Sequence, residues 1–177
     1  MASLSPRPPT PSVPAALAVS YVVLRVLVVL NWIYGGIVFV ILANMFVTPL
    51  WQMIALGIPS AAVSDPLIWG MRLVPALGLV GVPLNFIVLS RLLAIVRTVR
   101  TGDPFVAENA ARLQAIAYAV LGQQLLQFII GTIARSVTPL RISPFSTAGW
   151  LAVVLLFVLA RVFAEGTRMR DELEGTV

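Results

Sequence analysis

Four long apolar stretches constrain this chain more than anything else in it: roughly Val26 to Val47, Ile68 to Leu89, Leu113 to Ala134 and Thr147 to Ala164. A helix needs about 20 predominantly apolar residues to cross the hydrocarbon of a bilayer. Backbone groups in hydrocarbon must find their hydrogen bonds within the segment, which favours helices for such runs. The predicted fold is therefore all-α, an integral membrane four-helix transmembrane bundle. With 59% of its residues hydrophobic and 11% charged, the chain carries more apolar surface than a soluble domain of this size can hide. What lies between the stretches is too short for a soluble domain, a repeat array or a nucleic-acid module.

All twelve basic residues are Arg, and the formal net charge is +5. Such a balance often points to nucleic acid, but here the Arg cluster at the ends of the apolar stretches. Arg7, Arg25, Arg91, Arg97, Arg100, Arg112, Arg161, Arg168 and Arg170 fall on one side of a four-span topology, and Arg72, Arg135 and Arg141 on the other. Cytoplasmic segments carry the Arg excess. This places both termini and the "TGDPFVAEN" loop in the cytoplasm, with the first and third loops outward. No direct contact with nucleic acid is expected.

The opening "MASLSPRPPTPSVPAA" is too rich in Pro for a helix. Residues 1–15 read as a disordered cytoplasmic tail, 16–167 as the four-span domain, and 168–177 as a short acidic cytoplasmic tail. The weakly basic start and the long apolar run argue for a retained first span rather than a cleaved signal. The segment "TPLWQMIALGIPSAAVSDP" reads as a short helix in the outer interface, anchored by Trp51 and Trp69, or as a flap over the helices.

Polar residues inside the spans are the first candidates for a site. Asn31 lies about five residues into the first span, and Asn85 about five residues into the second, counted from the inner end. Arg161 precedes the end of the fourth span. At about 1.5 Å per residue the three share a depth, which predicts an inner-leaflet cluster if all face inward. Gln123, Gln124 and Gln127 form a polar patch on the third span. Buried amides in a membrane either hydrogen-bond between helices, for about 0.6 kcal/mol each, or line a wet cavity. Pro75 and Pro83 favour bends in the second span. Gly78, Gly81 and Asn85 share a helical face that should look into the bundle. Near the last exit, Arg161 and Glu165 are spaced to pair, with Arg168 in reach of the same carboxylate.

The loop "RTVRTGDPFVAENAARLQ" combines a turn with a helix start. Asp103 suits an N-cap and Pro104 the first helical position. Phe105 is placed to anchor that helix on the bundle, and Glu108 and Arg112 are spaced to pair. Arg100, Asp103, Phe105, Glu108, Asn109 and Arg112 together make a candidate docking loop.

"GDPFVAENAARL", a following span, and a last span ending "FAEGTRMRDELEGTV" resemble a family of small bacterial four-span inner-membrane proteins, known as domain of unknown function 2975. The resemblance runs from the first span onward. Its most specific parts are Gly102, Asp103, Pro104, Phe105, Asn109 and the closing run around Phe163 and Gly166 to Val177. It implies a bacterial inner-membrane location and a gene paired with a small helix-turn-helix regulator. It brings no enzymatic activity.

Three functions follow. The first is a non-enzymatic membrane sensor or regulatory partner whose loop and tail meet a soluble transcription regulator. The second is a small oligomeric transporter or pore using the Gln patch and the Pro-bent second span. Its weakness is that Asp and Glu are absent from the middle of the spans, and it would need a homo-oligomer. The third, an intramembrane enzyme, has no His, no Cys and no carboxylate pair at matched depth to work with. No catalytic residue, metal or cofactor is expected.

Overall fold

The computed structural model describes residues 15–47, 64–102, 105–137 and 145–174. They form four helices: α1 (Ala15–Val47), α2 (Asp65–Arg100), α3 (Ala107–Val137) and α4 (Thr147–Glu174). All four are long and apolar enough to cross a membrane. The chain is a multi-pass, all-helical membrane protein, as the apolar stretches predict. The N-terminal tail, the segment from 48 to 63, Asp103 and Pro104 lie outside the described residues, and so do the expectations that fall on them.

Each helix outlasts the apolar stretch that marked it. α1 begins eleven residues before Val26, and α2 runs on through Arg91, Arg97 and Arg100. α4 continues through Arg168 and Arg170, so most of the expected acidic tail is its last turns. Hydropathy marks the part in hydrocarbon, not the turns that project from it.

The ends follow local chemistry. Ser64 is extended at the start of α2, Asp65 sits in the first turn, and Pro66 takes a position where a missing N–H costs nothing. Arg97 and Arg100 occupy the last turn, where cations oppose the negative end of the helix dipole. Gly102 follows with φ +94°, the left-handed geometry that only glycine adopts easily. Ser146 caps α4: its Oγ accepts from the Gly149 N–H at 3.2 Å. Pro75 and Pro83 both lie inside α2 without ending it.

Helices pack in chain order. The substantial contacts are α1 with α2, α2 with α3, and α3 with α4; α1 and α4 share none of that extent. The four therefore form an open row rather than a closed ring. The described core sits in the last three: Leu113, Ile116 and Ala160 are buried together, with Val88, Leu92, Ile95, Leu156 and Phe163 packed against them. α1 touches the rest along one line. Its less exposed residues recur as Leu17, Tyr21, Leu24, Val28, Asn31, Gly35, Val38, Leu42 and Met45, at alternating steps of four and three. That is the spacing of two helices crossing at a shallow angle. Its other faces carry exposed Val, Ile, Phe and Trp side chains, the surface that lipid tails cover.

Candidate functional site

Two polar arrangements hold the row together. The first lies between α1, α2 and α3. Asn31 is buried, and its Nδ2 donates to the Val82 carbonyl at 3.1 Å. Its Oδ1 accepts from Asn85 Nδ2 at 2.9 Å. Gln123 Nε2 reaches Asn85 Oδ1 at 3.5 Å, so the amides run as a chain across three helices. Room for it comes from Gly35, one turn along α1. A Cβ there would lie 3.0 Å from Val82 Cγ1, so only glycine lets the two backbones come this close without a shift.

The depth argument thus brings Asn31 and Asn85 together, and Gln123 with them. It does not bring Arg161. That guanidinium faces outward on the far side of the row, in a groove between α3 and α4. Depth fixes one coordinate of a side chain and says nothing of the direction it takes around the helix. The Gln patch also divides. Gln124 lies against Gly149 of α4, where a Cβ would collide with the amide. Gln127 is exposed, and makes no side-chain hydrogen bond among the described residues. The glycines expected to admit a neighbour behave unequally. Gly81 faces Leu126 at 3.7 Å, whereas Gly78 has nothing within 4 Å. The closest seams run through Gly35 and Gly149 instead, because each sits opposite a large side chain at a helix crossing.

The second arrangement is the turn between α2 and α3. Asn109 is 0% exposed. Its Nδ2 donates to Thr98 Oγ1 at 2.8 Å, and the Thr98 hydroxyl donates on to the Ile95 carbonyl at 2.8 Å. Arg112 Nη1 donates to Asn109 Oδ1 at 2.7 Å. Phe105 stacks on Phe163 of α4 with ring centroids 5.4 Å apart, and Arg170 Nη1 donates to the Phe105 carbonyl at 3.4 Å. The turn is therefore tied to α2, α3 and α4 at once.

This geometry alters three expectations for the loop. The helix starts at Ala107, not at Pro104, because Phe105 and Val106 hold a non-helical path that lays the Phe105 ring on α4. Arg112 turns to Asn109 and leaves Glu108 exposed. Asn109 is an internal strut rather than a docking surface. In α4, Glu165 accepts from Arg168 at 2.6 Å, and Arg168 also lies 3.5 Å from Glu172. Glu165 is held by Arg168, and Arg161 makes no bond to it.

Two Arg–aromatic groups mark the ends of the α1–α2 seam. At one end Arg97 and Arg100 lie over the Tyr21 ring, at 5.6 and 5.1 Å from its centroid. At the other, Arg72 lies 4.7 Å from the Phe46 ring and 5.7 Å from that of Trp69. Its Nη2 donates to the Met45 carbonyl at 3.2 Å, in the last turn of α1, where carbonyls have no helical partner. The Arg count assigns Arg72 to topology alone; Trp69 is three residues away on the same helix, but Phe46 and the Met45 carbonyl come from α1, and no spacing rule reaches those.

No protein-family model, no curated protein and no solved structure matches this chain.

Proposed function

We propose that this chain is a non-enzymatic regulatory protein of a bacterial inner membrane. Its termini and the turn between α2 and α3 face the cytoplasm, and it acts on a soluble helix-turn-helix regulator. The observation that carries this reading is the anchoring of that turn. Thr98, Asn109 and Phe105 tie it to three spans, so displacement of any one span is transmitted to it. Arg100 and Glu108 stay exposed beside it and offer opposite charges to a partner. The Arg excess supports the cytoplasmic placement. The resemblance to the four-span family supports the class of partner. A transport path is less favoured, since Asn31, Asn85 and Gln123 spend their amides on one another.

The test is direct binding. The protein in lipid nanodiscs is immobilised and the soluble regulator encoded beside its gene is flowed over it. Capture that weakens in Arg100→Glu and Glu108→Lys, with helicity unchanged, supports the proposal. Absence of capture by the wild type removes it.

A further inference from the structure

The groove between α3 and α4 has a chemistry that neither the amide chain nor the turn uses. It encloses about 300 Å³ and is lined by Ala110, Gln114, Phe157, Ala160, Arg161 and Ala164, among others. Its existence follows from the alanines. Ala110 and Ala160 are buried, and with side chains this small the seam between the helices stays unfilled. Phe157 closes one end, held edge-on by Tyr118 at 5.1 Å.

Arg161 is exposed at this groove and makes no ion pair or hydrogen bond among the described residues. Its nearest candidate counterion along the helix, Glu165, is engaged by Arg168 at 2.6 Å. Arg161 lies seven residues before Arg168, roughly 10 Å further into the span. The guanidinium therefore lies below the level of the other Arg of α4, where an uncompensated charge is costly. Val158 and Val162 on the same helix are exposed and apolar, the kind of surface that a membrane span turns to acyl chains. An anion that reaches Arg161 by this route must carry hydrocarbon with it.

We propose that this groove binds one anionic phospholipid. The phosphate is taken by the Arg161 guanidinium, with Gln114 beside it as an amide donor, and the first acyl segment lies along the alanines towards Phe157. A planar guanidinium suits a phosphate through two parallel N–H bonds, and these bonds are stronger where water is scarce. The site stands on the α3–α4 seam alone and does not depend on the proposed regulatory role.

Native mass spectrometry of the detergent-solubilised protein tests it, with phosphatidylglycerol, phosphatidylcholine and inorganic phosphate as separate probes. One phosphatidylglycerol should remain bound per chain. Arg161→Gln should weaken retention roughly tenfold, and Ala160→Leu should weaken it by filling the groove. Arg168→Gln, which changes charge at a paired and exposed position, should not. Helicity of each variant is checked by circular dichroism; Arg161→Gln keeps the fold because no described residue leans on that side chain. Equal retention in Arg161→Gln overturns the proposal. So does equal retention of phosphatidylcholine, displacement by inorganic phosphate alone, or a lipid loss that appears only where the protein dimerises through this face.

Discussion

Asn85 donates from Nδ2 to Oδ1 of Asn31 at 2.9 Å, and this bond, beside the one from Asn31 to the Val82 carbonyl, joins α2 to α1 near a level where both helices are otherwise apolar. Replacing either partner leaves one amide atom of the other, Asn31 Oδ1 or Asn85 Nδ2, unpaired in a medium without water. Asn31→Leu and Asn85→Leu should each destabilise the protein, and the double variant should cost less than their sum. The coupling should be about 0.6 kcal/mol, the mean for interhelical bonds in membranes, and not above roughly 1.7. Unfolding in mixed micelles measures it, and strict additivity would show that the bond contributes nothing.

The turn should be more sensitive. Asn109→Ala leaves half-buried Thr98 and Arg112 without their shared partner and empties a fully buried position. A loss of about 1–3 kcal/mol is expected, the usual penalty for a stranded buried polar group. Thr98→Val, which removes one hydroxyl and preserves shape, should cost less. Thermal denaturation in detergent that ranks Thr98→Val as the worse of the two contradicts the network.

Phe105→Ala should cost about 1 kcal/mol, mainly the loss of stacking on Phe163. Phe105 is 48% exposed, so the burial contribution is limited. A loss as large as that of Asn109→Ala would mean that the ring, not the amide, holds the turn.

Adjacent glycines on α1 give a test of sidedness. Gly35 meets Val82, while Gly36 has nothing within 4 Å. Gly35→Leu should push α1 away from α2 at a cost of about 1–3 kcal/mol. Gly36→Leu, facing lipid, should be neutral or slightly favourable through helix propensity. Equal effects would mean that α1 is not seated on this line.

At the other end of that seam, Arg72→Ala should loosen the last turn of α1 and alter the emission of Trp69. Arg72→Lys should not restore it, because an ammonium lacks the flat face that lies over Phe46 and Trp69. Full restoration by Lys would reduce Arg72 to a point charge.

For orientation, a reporter active only outside the cytoplasm should stay silent when fused at Val177 and give signal when inserted near Ser60. Signal at Val177 would reverse the Arg-count argument.

Much of this fold was legible because hydropathy is a sum over many residues, and a sum tolerates local exceptions. The four spans survive two internal Pro in α2 for that reason. Asn31 and Asn85 were legible because an amide in an apolar run has few fates, and matched depth suggested one partner. Arg161 escaped the same reasoning, since its azimuth depends on how α4 rotates against α3. The Arg168–Glu165 and Arg112–Asn109 bonds replaced equally plausible neighbours at helical spacing. Local spacing shows which pairs can meet; tertiary packing decides which do. The stacking of Phe105 on Phe163 needed both ends of a contact at once, and the sequence shows them one at a time.

The open row has a mechanical consequence. A helix inside a ring is braced on two sides, and when the bilayer thins or thickens it tilts only if its neighbours tilt with it. α1 and α4, at the two ends of the row, are each braced on one, but α4 is locked into the described core with α2 and α3, to which α1 contributes nothing. Helices answer a mismatch in hydrocarbon thickness by changing tilt, at a fraction of a kcal/mol per ångström, and the α1–α2 seam offers the least resistance. Strain in the surrounding lipid should therefore appear first as a pivot of α1 about Gly35 and Val82, with the other three helices as the fixed frame. Distances between spin labels on Val19 and Val99, recorded in short-chain and long-chain lipid, should change more than those between labels on Val99 and Met169.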